Sequence, residues 1–164
     1  MPTALLLGVG AVLWMQVTEM KDLADWVDHT DQVIASVYEV QRDVSSQEAA
    51  VRGYLLTSDR VLLEGYTSSD PGRGLTTLRT FVEDNPTQLL RVDEATRRYD
   101  HWRQLTDPLL AAEADLRPFK TLAAIQARRD LTNGIRALMV EMLRVEQELR
   151  HERSEAAHAA NTSG

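Results

Sequence analysis

Two interleaved seven-residue spacings run through the first third of the chain. One set is Met20, Val27, Ile34, Gln41, Glu48 and Leu55, and the set three residues later is Leu23, Thr30, Val37, Val44 and Val51. A half-buried strand would alternate every second residue, so this spacing predicts helix from Val17 to Thr57, about forty residues or ~60 Å. No proline interrupts it, and Thr57-Ser58-Asp59 supplies cap residues for a turn and a new helix. The second helix starts at "RVLLEGY" and meets "TSSDPGRG" at residues 67–74, where a kink or short loop is expected. Asp70 as N-cap and Pro71 at the first helical position restart it, and Leu75, Leu78 and Val82 resume the apolar stripe. In "DNPTQ", Asn85 caps a third helix, Pro86 suits its first turn and Gln88 completes an N-x-x-Q capping box. That helix carries Val92, Ala95, Tyr99, Trp102, Thr106 and Leu109 on one stripe, with a bend expected at Asp107-Pro108. A fourth helix opens near "DLRPFK" and runs through Ile135, Leu138, Met142, Val145, Leu149 and Ala156. The pattern predicts an all-α, up-down-up-down four-helix bundle with two long and two shorter helices, and contains no strand signal of any quality.

The first eighteen residues carry no charge, and Ala4 to Met15 is an unbroken run of apolar residues and glycine. A membrane span needs about 20 such residues, so residues 1–16 are expected to be the remnant of an N-terminal transmembrane helix. A buried core helix is the main alternative, and a secretory signal fits less well, because no basic n-region and no A-x-A-like site precede Glu19. The organisation expected is this remnant, a bundle over residues 17–160, and a tail at 161–164 leading to a second transmembrane helix.

Charge and composition exclude several classes of chemistry. The net charge of −7 lies almost wholly in residues 1–59, with nine Asp/Glu against three Lys/Arg. No Lys/Arg run exceeds two residues, so a nucleic-acid partner is not expected. With no cysteine, thiolate nucleophiles, disulfides and zinc knuckles are absent. Glu148 with His151 and Glu155 with His158 match the E-x-x-H spacing of di-metal bundles, but both copies lie on one helix and read better as a solvated face. His29 and His101 lack neighbours at metal-ligand spacing. The acids Glu19, Asp22, Asp25, Asp28 and Asp31 are spread around most of a helix circumference, which suits solvation better than a cation site. No catalytic triad order, phosphate loop or cofactor motif is present, so no cofactor and no enzyme activity are expected.

The seven-residue spacing flags Gln41 and Glu48 as polar residues where Ile or Leu would pack better. Arg52 lies one turn from Glu48, and counting from the turns places Tyr66, Thr106 and Arg128 at a similar height. These five, Glu48, Arg52, Tyr66, Thr106 and Arg128, form either a register-fixing polar layer or a ligand site.

The run "EAAVRGYLLTSD", then "LLEGY", "DNPTQLLR", "IRALM" and "EQELRHER", with "WVDHT" at Trp26 to Thr30, resembles the third class of CHASE domain over about residues 17–158. That family is the extracellular sensory module of bacterial histidine kinases, cyclases and chemoreceptor-like proteins. The resemblance implies a four-helix bundle between two transmembrane helices, sensing outside and signalling inside; a small shift of helix four against helix one is the transmission expected of it. It carries Trp26, His29, Glu48, Arg52, Gly53, Tyr54, Asn85 and Pro86 onto family positions, and departs at Gly65, where proline is common. A homodimer in the full-length receptor, the membrane through flanking helices, and an unidentified small-molecule or protein ligand are the partners implied. A helical dimerisation or spacer module with no ligand of its own is the alternative.

Overall fold

The computed structural model describes the backbone of residues 2–111 and 115–162, and the side chains of residues 28–111, 115–152, 154 and 155. It is an all-α four-helix bundle. Helix α1 (Pro2–Thr57) is followed by a 3-10 turn (Arg60–Leu63) and the short α2 (Glu64–Ser68). Then come α3 (Pro71–Phe81), α4 (Pro86–Ala111), a second 3-10 turn (Arg117–Lys120) and α5 (Leu122–Thr162). Helix α1 packs beside α3 and α5, and α4 closes the square against both. Paired residues run in opposite directions along each seam: Glu48 meets Arg136 while Asp31 meets Arg150, and Tyr66 meets Asp107 while Arg79 meets Asp93.

The backbone of α1 continues without a break from residue 2, but the side chains of residues 1–27 lie outside the described residues, and the expected membrane remnant lies there with them. Among the described residues no helix is long and apolar enough to cross a membrane. At the other end α5 continues to Thr162.

The interruption of the second arm lies where proline and glycine put it. The Asp70 side chain accepts a hydrogen bond from Arg73 N at 3.0 Å, with Pro71 in the first turn. Asn85 likewise caps α4, accepting from Gln88 N at 3.2 Å. The expected capping box does not close. Gln88 shares the inner stripe with Val92 and Ala95, so its side chain points into the core and donates to Glu146 Oε1 at 3.0 Å and to Met142 O at 3.4 Å. Helix α4 runs on through Pro108, the site of the expected bend, to Ala111. The missing N–H frees the carbonyl of Gln104, an exposed residue.

The core is made by Val33, Val37, Val40 and Val44 of α1, Leu75 and Leu78 of α3, Val92, Tyr99 and Trp102 of α4, and Ile135, Met139 and Met142 of α5. Two stripes differ from expectation by about one residue of rotation. On α5, Leu138, Val145 and Leu149 are half-buried, and Met139, Leu143 and Glu146 share the centre with Ile135 and Met142. On α1, the set Ile34, Gln41, Glu48 and Leu55 is a half-buried flank, while Val33, Val40, Gln47 and Tyr54 face inward beside Thr30, Val37, Val44 and Val51.

The buried polar residue that matters most on α1 is therefore Gln47, only 4% exposed. Ending α2 at Ser68 leaves its last carbonyls without intrahelical donors. Gln47 Nε2 supplies them, donating to Tyr66 O at 3.1 Å and Ser69 O at 2.9 Å, while its Oε1 accepts from the Tyr99 hydroxyl at 3.0 Å. Ser46 Oγ donates to Gly65 O, and Asp43 Oδ2 accepts from Asp70 N, both at 3.3 Å. A little further along this seam a Cβ on Gly74 would stand 3.0 Å from Val40 Cγ2, so glycine permits the close approach of α3 to α1.

Replacing Gln47 with Leu keeps the volume but leaves two carbonyls without donors, and should lower unfolding stability by about 2 to 4 kcal/mol in urea titrations. Gly74→Ala should cost about 1 kcal/mol net, because crowding the stiff, fully buried Val40 outweighs the helix-propensity gain. Gly53→Ala should change stability by less than about 0.5 kcal/mol, since the Leu62 side chain it meets at 3.1 Å is 41% exposed and yields. Equal losses at the two glycines would contradict this account of the α1–α3 contact.

Candidate functional site

Helix α1 ends by a left-handed residue: Ser58 has φ 61° and its N–H donates to Tyr54 O at 2.8 Å. Thr57 Oγ1 donates to Gly53 O at 2.9 Å and accepts from Asp59 N, and the Asp59 side chain caps the next turn at Val61 N. Arg52, Gly53 and Tyr54, about 100° apart around the axis, then serve three surfaces. Tyr54 enters the core, Gly53 admits Leu62 of the 3-10 turn, and Arg52 points to a cleft between α1 and α5.

This cleft has a volume of about 710 Å³. Glu48, Val51, Arg52, Leu55 and Leu56 of α1 line one side, and Ile125, Arg128, Arg129, Asn133 and Arg136 of α5 the other. Trp102 of α4 forms the floor and Lys120 stands at the second 3-10 turn. Glu48 bridges the two helices: it pairs with Arg136 across the cleft and with Arg52 at 3.3 Å along α1. Its side chain is 18% exposed, against 34% for Arg136 and 66% for Arg52.

Arg128 differs from its neighbours. It is 6% exposed, and one guanidinium N–H donates to Phe119 O at 2.8 Å. Among the described residues it has no carboxylate partner, and burial pushes its guanidinium below the usual arginine range. A buried cation held only by a carbonyl keeps donors free for an acceptor from outside.

The structure thus brings together Glu48, Arg52 and Arg128, and separates Tyr66 and Thr106 from them. The Tyr66 hydroxyl donates to Asp107 Oδ1 at 2.7 Å, and Asp107 in turn pairs with Arg103 at 3.1 Å. Burial first, and then the Asp107 bond, raise the Tyr66 hydroxyl well above the ordinary tyrosine value. Thr106 donates to its own helix at Trp102 O, 2.7 Å away. The two groups touch through Trp102, whose ring stacks with Tyr66 at 6.0 Å and Tyr99 at 6.1 Å between centroids.

The other positions carried from the family resemblance lie elsewhere. Asn85 and Pro86 begin α4 at the opposite end of the four-helix section, His29 is half-buried on α1, and the Trp26 side chain lies outside the described residues. Among the described residues no cluster of metal-ligating side chains exists. Glu148 pairs with Arg144 and His151 lies 3.3 Å from Glu155, while the His158 side chain is outside the described residues.

Sequence reasoning missed Lys120, Ile125, Arg129, Asn133 and Arg136 as cleft residues. Their signal was a stripe at helical spacing, Ile125, Arg129, Asn133 and Arg136, carrying two cations on one face of the helix.

No curated protein and no solved structure matches the chain. The family model of the CHASE3 domain matches residues 23–156, from within α1 to near the end of α5, including both walls of the cleft. The chain belongs to the CHASE3 domain family, sensory domains found in signalling receptors.

Proposed function

We propose that this domain is the extracytoplasmic input module of a bacterial transmembrane receptor, and that it signals by changing how α5 packs against α1. The observation that carries this reading is the cleft itself: it is shared by the two longest helices and spanned by the Glu48–Arg136 pair. A group bound there contacts both helices, and whichever packing it binds more tightly is favoured by the difference in affinity. The same two helices meet again at Asp31 and Arg150, 3.3 Å apart, toward the other end of the bundle. Both contacts lie on one antiparallel pair, so a displacement at the first has a short mechanical route to the second. Tyr38 of α1 and Val140 of α5, 53% and 60% exposed, offer apolar contacts for a second copy, and we propose a homodimer in the receptor. Helices anchoring this domain in the membrane, and a kinase, cyclase or chemoreceptor output, belong to the same proposal.

Because these 164 residues hold no cysteine, an introduced pair is the sole thiol pair within them, and any cysteine elsewhere in the receptor is first replaced by serine. Asp31→Cys with Arg150→Cys, joined by a short thiol crosslinker in a full-length receptor carrying this domain, should fix the α1–α5 packing. The output should then move by about five-fold or more from its basal level and stop responding. Crosslinking that leaves both output and response unchanged would favour a passive helical spacer.

A further inference from the structure

We propose that the cleft between α1 and α5 binds an organic carboxylate with an apolar body, and that this anion competes with Glu48 for Arg136. Its consequence for signalling rests on the sensory reading above; the binding itself rests on the site.

Charge is the first argument. The chain as a whole carries −7, yet the cleft gathers Arg52, Lys120, Arg128, Arg129 and Arg136 around a single carboxylate, Glu48. That concentration runs against the composition of the molecule, and low-dielectric walls focus its field on an anion. Most of the chain's arginines have carboxylates at hand, as in Arg97 and Arg98 on Glu94 or Arg144 on Glu141. Among the described residues Arg128 does not, although it is the most buried of the five. A carboxylate reaching it supplies the acceptor that the protein withholds, in the bidentate geometry that guanidinium favours.

The walls give the second argument. Leu55 and Leu56 face Ile125 across the opening, with Trp102 at the floor. Leu56 is 78% and Ile125 45% exposed, so each gains from a covering ligand. A volume of about 710 Å³ is that of a small-molecule site and far exceeds what an inorganic anion fills. Cationic depth and apolar walls together define a carboxylate attached to a ring or chain.

Glu48 supplies the link to packing. An anion held by Arg128 and Arg136 places a second negative charge beside Glu48, which repels it and draws Arg136 away. The bond that joins α1 to α5 is then exchanged for bonds to the ligand, and only within α1 does Glu48 keep a partner, Arg52.

The test is calorimetry and thermal shift on the purified domain with benzoate, phenylacetate and hexanoate, the amide of each, and inorganic phosphate. The carboxylates should bind and raise the melting temperature, while the amides and phosphate should not. Arg128→Met should weaken carboxylate binding at least ten-fold. Because loss of a buried residue can disturb folding, Ile125→Asp at the exposed wall is the second variant, and should give a similar loss with an unchanged melting temperature. Glu48→Gln should strengthen binding several-fold by removing the competing charge. Equal binding of acid and amide, tighter binding of phosphate than of any organic acid, no binding by the three acids, or wild-type affinity in both loss variants would each overturn the proposal. The outcome separates from that of the α1–α5 crosslink: no binding with a locked output removes the anion and keeps the sensory reading, and binding with an unmoved output does the reverse.

Discussion

The side-chain amide of Gln47 sets the geometry that everything else follows. A four-helix bundle with one arm broken at Ser69-Asp70 has carbonyls facing its own interior, and an interior carbonyl without a donor costs about as much as a lost hydrogen bond. Gln47 answers two of them and takes the Tyr99 hydroxyl on its oxygen, so α1, the break and α4 are joined at one point. With Asp43 and Ser46 beside it, and Gly74 letting α3 approach Val40, the α1–α3 seam is closely packed and polar only where satisfied. Fixing the break fixes Tyr66, and Tyr66 stacks on Trp102, whose indole is the floor of the cleft.

The α1–α5 seam is built differently. Its side-chain ties include the Glu48–Arg136 pair and the Asp31–Arg150 pair, the latter about half exposed on both sides. Exposed pairs of this kind contribute about 0 to 1 kcal/mol and are screened by salt. The α4–α5 seam has instead Gln88 and Glu146, buried and bonded to each other, and the fully buried Met139 and Met142. The α1–α3 and α4–α5 seams thus hold buried polar ties, and this supports the proposal of a displacement between α1 and α5 over one within either of those two seams.

Punctuation was the most legible part of the sequence. Asp70-Pro71 and Asn85-Pro86 act locally, through a side-chain acceptor and a ring that presets φ, so their positions follow from two or three residues. The stripe on α4 was equally clear, because Val92, Ala95, Tyr99, Trp102, Thr106 and Leu109 have only one apolar face to offer. Helix α1 was harder. Ile34 and Leu55 compete with Val33 and Tyr54 for the place beside the Val37 and Val44 set, and the two choices differ by one residue, or about 100° of rotation. Which flank is central depends on where α3 and α5 sit, and periodicity within one helix does not encode that. The choice decided which polar residue was read as inward: Glu48 by the spacing, Gln47 in the fold. The cleft was only half legible for the same reason, since Glu48, Arg52 and Arg128 are distinctive in sequence while Lys120, Asn133 and Arg136 join them only through the antiparallel pairing of α5 with α1.

The displaced register also explains why Glu48 suits an exchangeable bond better than a structural one. An inward carboxylate at the place of Gln47 would need full compensation, and its loss would unfold the core. On the half-buried flank, Glu48 keeps enough solvent contact for its partners to be exchanged without leaving a bare charge inside the protein. Arg52, 66% exposed, remains beside it on the same helix whatever Arg136 does. Arg128, by contrast, is deep enough that water screens it poorly and an arriving anion is felt strongly. In the proposed site the exchangeable pair lies nearer the rim, and Arg128, bonded to the Phe119 carbonyl, lies at depth, so breaking the old contact and making the new one fall at different levels of the cleft. That difference in depth, two turns apart along α5, is what the proposed exchange of partners would use.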